Sequence, residues 1–351
     1  MKYTIKNPSS LDPKQLRRKQ GRIATRVFSN SFIGLVGYTL VSSFAVLAVS
    51  IIMGMVLDEA TNEKIINSEY FAMGMQIVCM YVIALPAFLA FIRPIPTRRI
   101  IERDLKFSDF MRMFLISMFL MRLGSAMSQV VNYLLGVTTY AVESTPSSII
   151  DSMISAPNIL TVLVVVVIGP IAEELIFRKA LIDRLGKYGE KMALVVSSVA
   201  FGIFHGNFDQ VFYATMVGFV LGFLYIKTGR IRFSCILHML VNFFGTVPAM
   251  FLDSYLDGVS VEEFFAGSTE ADTTKLIVVL AIVGLLSLLT ICGFIALCRA
   301  SKSGVFKYKF RTDIELTPWR KLRCALLNIG VILFLVLCIS SFITYYEILL
   351  I

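Results

Sequence analysis

The sequence predicts an all-α, polytopic membrane helix bundle with eight or nine transmembrane helices. Three observations predict it. Of the 351 residues, 57% are hydrophobic and 16% charged, and the mean hydropathy is +0.78; soluble domains carry about 25% charged residues. Apolar runs of roughly 18 or more residues recur, each long enough to cross a ~30 Å hydrocarbon core as a helix. A transmembrane β-barrel would show shorter alternating segments instead. Finally, Lys and Arg gather on every second connection between the apolar runs, as the preference for positive charge on the cytoplasmic side requires.

The elements follow in order. Residues 1–30 form a basic arm with Lys2, Lys6, Lys14, Arg17, Arg18, Lys19, Arg22 and Arg26. The next run, 31–57, is too long for the apolar part of a signal peptide and lacks a small-residue cleavage site. It reads as the first span, with the amino terminus cytoplasmic. Further spans are expected at 70–92, 110–135, 157–182, 191–205, 208–228, 232–250, 275–298 and 323–347. The connections at 58–64, 136–156 (with Glu143 and Asp151), 206–210 and 251–274 are acidic. Those at 93–106, 184–191, 227–232 and 299–323 are basic. Nine spans fit this alternation; the fifth is short, and the count is eight if it is re-entrant. No repeat and no soluble domain interrupts 31–347, which is read as a single transmembrane domain.

The net charge is +9. It falls in short connections rather than on one soluble face, so membrane topology explains it and no nucleic-acid partner is expected. The six cysteines lie in or beside apolar runs without a CxxC pair. They read as small buried hydrophobes rather than a disulfide framework or a thiolate zinc site.

Charged groups inside spans are costly and mark candidate sites. Arg112 is read as snorkelling to a nearby basic edge, and the deeper Arg122 as part of a structural ion pair. In "AEELIFRKAL" (172–181), Glu174 and Arg178 are four apart and share a helix face in the favourable order. Glu173 points about 100° away, leaving it without a built-in partner and suited to general-base work. The bland alternative is a salt bridge plus a carboxylate that reaches the interface. The chain has only two histidines, His205 and His238, and both fall at apolar spans. Phe201 precedes His205 by one turn, and Asn242 follows His238 by one turn. Pro170, just before the glutamates, is expected to break its helix. Ala214, Gly218 and Gly222 read as a close helix-packing face.

Glu173-Glu174-xxx-Arg178, Phe201-xxx-His205 and His238-xxx-Asn242, in this order, resemble the motifs of the CPBP family. These are CAAX-type intramembrane proteases with bacteriocin-processing, immunity and Abi-like relatives. The resemblance covers about 160–248, within a core of about 157–250. It implies an intramembrane endopeptidase that acts near the cytoplasmic half of the membrane. Glu173 would activate water with His205 assisting, His238 and Asn242 would form the oxyanion site, and Glu174 and Arg178 would orient it. The implied partners are membrane lipid and a peptide or protein substrate, such as a lipidated protein or a leader peptide; the implied place is a bacterial plasma membrane. No cofactor is expected, although zinc through Glu173, His205 and His238 stays open. Two rivals remain: a non-catalytic immunity or regulatory scaffold of the same family, and a proton-coupled transporter. Oligomeric state is not legible.

Overall fold

The computed structural model describes residues 3–5, 8–66, 68–136, 159–256, 259, 261–265 and 273–350. Glu143 and Asp151 lie outside the described residues, as does part of the acidic connection 251–274. Among the described residues there is no strand, and nine helices build the bundle. They are α1 (Pro13–Val56), α2 (Met73–Ile92), α3 (Phe107–Leu134), α4 (Ile159–Tyr188), α5 (Glu190–Phe204), α6 (Phe208–Thr228), α7 (Ile231–Tyr255), α8 (Thr273–Cys298) and α9 (Ile329–Leu350). All but α5 contain a stretch long and apolar enough to cross a membrane.

Polar contacts define the two ends of the bundle. At the basic end Arg98 pairs with Glu190 at 2.8 Å and with Asp313 at 3.0 Å. There Arg103 N donates to Thr228 O at 2.8 Å, and Arg230 pairs with Asp104 at 2.7 Å. At the opposite end Asn132 Nδ2 donates to Asp209 Oδ1 at 2.5 Å. Tyr345 donates to Asp209 Oδ2 at 2.6 Å, and Tyr346 to Asn132 Oδ1 at 2.9 Å.

These ends settle the course of the fifth element. Glu190, the first residue of α5, sits in the basic-end network. The handover to α6 is a tight turn with Gly206 at φ +71. Asn207 then caps α6 through Gln210 N at 2.9 Å, and Phe208 N donates to Tyr346 Oη at the far end. The fifth helix therefore runs from one end to the other instead of turning back within the bundle, although it has only 15 residues.

Two boundaries differ from the sequence expectation. The basic arm is not separate from the first span: Asp12 caps Gln15 N at 2.8 Å, and Pro13 opens one 44-residue helix. Proline suits that first position because its missing N–H has no intrahelical partner there. At the other boundary, 323–347 splits. Pro318–Leu326 is a short helix of its own. Asn328 then starts α9 by accepting from Val331 N at 3.1 Å.

Helix α4 does not break at Pro170. The chain stays helical, passing through π-helical stretches at Leu163–Ile168 and Glu174–Ile182. Wider turns shift the bonding by one residue, as in Gly169 N to Val164 O, so the ring is absorbed without a kink-forming clash.

Arg112 pairs with Asp109 at 3.1 Å. Arg122 corrects the expectation. The buried stripe of α3 runs through Met118, Met121, Gly124 and Ser128, which leaves Arg122 on the outward face, without an ion pair among the described residues.

Candidate active site

The two adjacent glutamates are separated as the i,i+4 spacing requires. Glu174 is wholly buried, and its Oε2 lies 3.3 Å from Arg178 Nε. Arg178 is wholly buried too, and its Cζ sits 4.6 Å above the ring centroid of Phe201. No hydrogen bond to a guanidinium nitrogen of Arg178 is made among the described residues. Charge pairing and the ring face hold this cation. Glu173 is 31% exposed and lines a cavity of about 160 Å3.

His238 stands between the glutamates. A carboxylate only accepts, so His238 Nδ1–H donates to Glu174 Oε1 at 3.1 Å. That bond turns Nε2 toward Glu173, whose Oε2 is 3.6 Å away. The Glu174–Arg178 pair thus decides which ring nitrogen faces the cavity.

His205 follows the last residue of α5. Its Nδ1 lies 2.8 Å from Phe201 O. A carbonyl also only accepts, so Nδ1 carries the hydrogen and Nε2 of the neutral ring keeps a lone pair. The Phe201 ring meets His205 edge-on at 5.0 Å and His238 at 5.6 Å. One aromatic residue therefore spaces the arginine and both histidines.

Helix α6 makes room for that ring. A Cβ on Gly218 would stand 3.1 Å from Phe201 Cδ1, and one on Gly222 would stand 2.7 Å from Leu194 Cδ1. Ala214 is buried on the same face. The small-residue row is a packing face between α5 and α6, and it supports Phe201 from behind.

Asn242 reaches across from α7 and donates through Nδ2 to Val165 O at 3.0 Å. The cause lies in α4. With i to i+5 bonding around Val164, the next donor in line for Val165 O is the N–H that Pro170 lacks. A half-buried carbonyl in the bundle still needs a partner, and the Asn242 amide supplies it.

Glu173, His205, His238 and Asn242 all line the one cavity. Glu174 and Arg178 lie behind it. Tyr81, Tyr213, Gln76, Gln210 and Thr246 also line it and were not singled out from the sequence. Their signal was a polar group within an apolar span, which tyrosine and threonine give too often to be decisive.

Among the described residues no three of His, Cys, Asp and Glu are gathered closely enough to hold a metal ion. The trio Glu173, His205 and His238 shares the cavity, and each histidine commits Nδ1 to a protein oxygen, which leaves Nε2 as the free ring nitrogen.

Residues 155–244 match the family described as Type II CAAX prenyl endopeptidase Rce1-like. Over that stretch, about a quarter of the chain, the sequence is similar to the Rce1-like family. All six candidate residues, Glu173, Glu174, Arg178, His205, His238 and Asn242, fall inside the Rce1-like stretch. Two curated proteins are also similar to part of the chain. "Putative membrane peptidase YdiL" of Bacillus subtilis (strain 168) is 37% identical over 98 residues, 28% of this chain and 39% of that protein. "UPF0177 protein YxdF" of Lactococcus lactis subsp. lactis (strain IL1403) is 30% identical over 90 residues, 25% of this chain and 50% of that protein. The chain thus spans half or less of each relative's length. No solved structure matches.

Proposed function

We propose that this chain is an integral-membrane peptidase of the CAAX type that hydrolyses a peptide bond within the membrane. The observation that carries the proposal is the convergence of Glu173, His205, His238 and Asn242 on one cavity inside an Rce1-like core. In this reaction Glu173 takes a proton from a water, which attacks the scissile carbonyl carbon. His205 Nε2 helps to hold that water. His238 carries hydrogen on both ring nitrogens, with Nδ1–H on Glu174 and Nε2–H donating to the oxyanion. The second N–H of Asn242 is the other donor. Preorganised donors of this kind are worth about 3–4 kcal/mol each to a barrier. Glu173 then returns the proton to the departing amine.

The cavity of about 160 Å3 is smaller than the ~300–1,000 Å3 of a small-molecule pocket. It suits a peptide group and a water, and the rest of the substrate lies along the outer face of the bundle. A prenylated protein, a leader peptide and a signalling peptide each fit that description. His238 lies seven residues into α7, about 10 Å from the basic end. With the positive charge cytoplasmic, cleavage occurs in the cytoplasmic half of a bacterial plasma membrane.

The test is cleavage of a peptide substrate by purified protein. Glu173→Ala and His205→Ala are each expected to abolish turnover while the unfolding temperature in detergent stays near that of the parent. Persistent turnover in both variants would remove the assignment. A partner protein retained by the double variant, with no substrate cut by the parent, would favour a non-catalytic scaffold instead.

A further inference from the structure

A second cavity lies at the basic end, between the first turns of α1 and the helix Pro318–Leu326. Its volume is about 890 Å3, and six cations line it: Lys14, Arg17, Arg18, Arg22, Arg320 and Arg323. No aspartate or glutamate is among the lining residues. None of the six cations makes an ion pair among the described residues, whereas Arg98, Arg112 and Arg230 at the same end are all paired. Mutual repulsion among six unpaired cations is a standing cost unless an anion offsets it.

The cavity is a built one. Arg320 Nη1 donates to Arg17 O at 2.7 Å, and its side chain lies over Gly21, where a Cβ would stand 2.7 Å from Arg320 Cδ. Thr25 Oγ1 and Cys324 Sγ are 3.4 Å apart. Gly330 N donates to Ser29 Oγ at 3.1 Å. The first three contacts clamp the two walls together, and the last ties α1 to α9 beyond them. Thr317 lines the cavity and precedes the short helix without capping it through its side chain, so unsatisfied N–H groups of the first turn add to the positive field.

Its place fixes the chemistry of the anion. Trp319, Leu322 and Leu326 are all exposed and, at i, i+3 and i+7, share one face of the short helix. An exposed apolar face backed by Arg and Lys marks a helix lying in the plane of a membrane interface, and tryptophan favours that level. The apolar span of α9 begins three residues later. The cavity thus opens at the depth of lipid head groups.

We propose that this cavity binds the phosphodiester head group of an anionic phospholipid, held by Arg17, Arg18 and Arg323 on its exposed rim. The site stands apart from the peptidase centre and does not depend on that assignment.

The experiment uses the full chain in nanodiscs of phosphatidylcholine with and without phosphatidylglycerol. It reads retained lipid by mass spectrometry and protein stability by unfolding temperature. The parent is expected to retain phosphatidylglycerol and to unfold at a higher temperature when it is present. Arg17→Gln, Arg18→Gln and Arg323→Gln together should lose that gain, with affinity falling about fivefold per charge removed at ~1 kcal/mol per surface cation. The same three positions changed to Lys should keep most of it. Equal unfolding temperatures of parent and Gln variant in pure phosphatidylcholine establish that the variant folds. Undiminished phosphatidylglycerol retention by the Gln variant would overturn the site. Equal protection of the parent by inorganic phosphate in pure phosphatidylcholine would overturn the lipid assignment in favour of a soluble phosphate.

Discussion

Arg178 is the residue on which the site's order depends. It is wholly buried, paired with Glu174 and stacked on Phe201. Removing one member of a buried ion pair leaves the other charge uncompensated. Arg178→Ala is therefore expected to destabilise the protein by about 3–5 kcal/mol. Glu174→Gln with Arg178→Met, which removes both charges, should cost clearly less. Unfolding temperature in detergent checks both. This part of the site was legible in the sequence, because the i+4 rule needs only local spacing. That His238 bridges the two glutamates was not: its partners lie 64 and 65 positions away on α4, and no periodicity within α7 points to them.

At the scale of elements, Pro170 and Asn242 belong to one device. The proline withholds a donor from Val165 O, and the asparagine on a neighbouring helix returns one. Asn242→Leu should cost about 1 kcal/mol through the lost hydrogen bond to the half-buried Val165 carbonyl. Pro170→Ala restores an N–H to α4, so the same leucine substitution should cost less in that background. A double-mutant cycle on unfolding free energy measures the difference, and additive losses would remove the link. The sequence showed Pro170 and Asn242 separately, but it predicted a broken helix where α4 absorbs the ring in π-helical turns. Periodicity over a few residues does not separate 3.6 residues per turn from a slightly wider helix. Arg122 was misread for a related reason: hydropathy places it in a span but does not say which face of α3 is buried.

For the whole molecule, the ends of the bundle carry the prediction. The first turns of α1 lie at the basic end and Tyr346 at the other, with nine helices between them among the described residues. Tags fused before Met1 and after Ile351 are therefore expected on opposite sides of the membrane in protease-protection assays. Both tags on one side would rule out the nine-helix course. The class of fold was fully legible, since composition and charge alternation are summed over hundreds of residues and survive local error. The cavity was not, because it is formed by residues of five helices.

Helix α5 has a consequence of its own. Its 15 residues rise about 22 Å, well short of a ~30 Å hydrocarbon layer, and Val195 and Val199 face outward from it. Lipids beside α5 must meet a wall too low for their tails, and hydrophobic mismatch of this kind is relieved by local thinning of the bilayer. The end of that wall is His205. Head groups and the water they carry are thereby drawn down toward the cavity on one flank only, which would give the proposed hydrolytic centre a supply route through lipid. Turnover should accordingly rise in bilayers of shorter acyl chains and fall in longer ones, a dependence that acyl-length series in reconstituted vesicles will read directly.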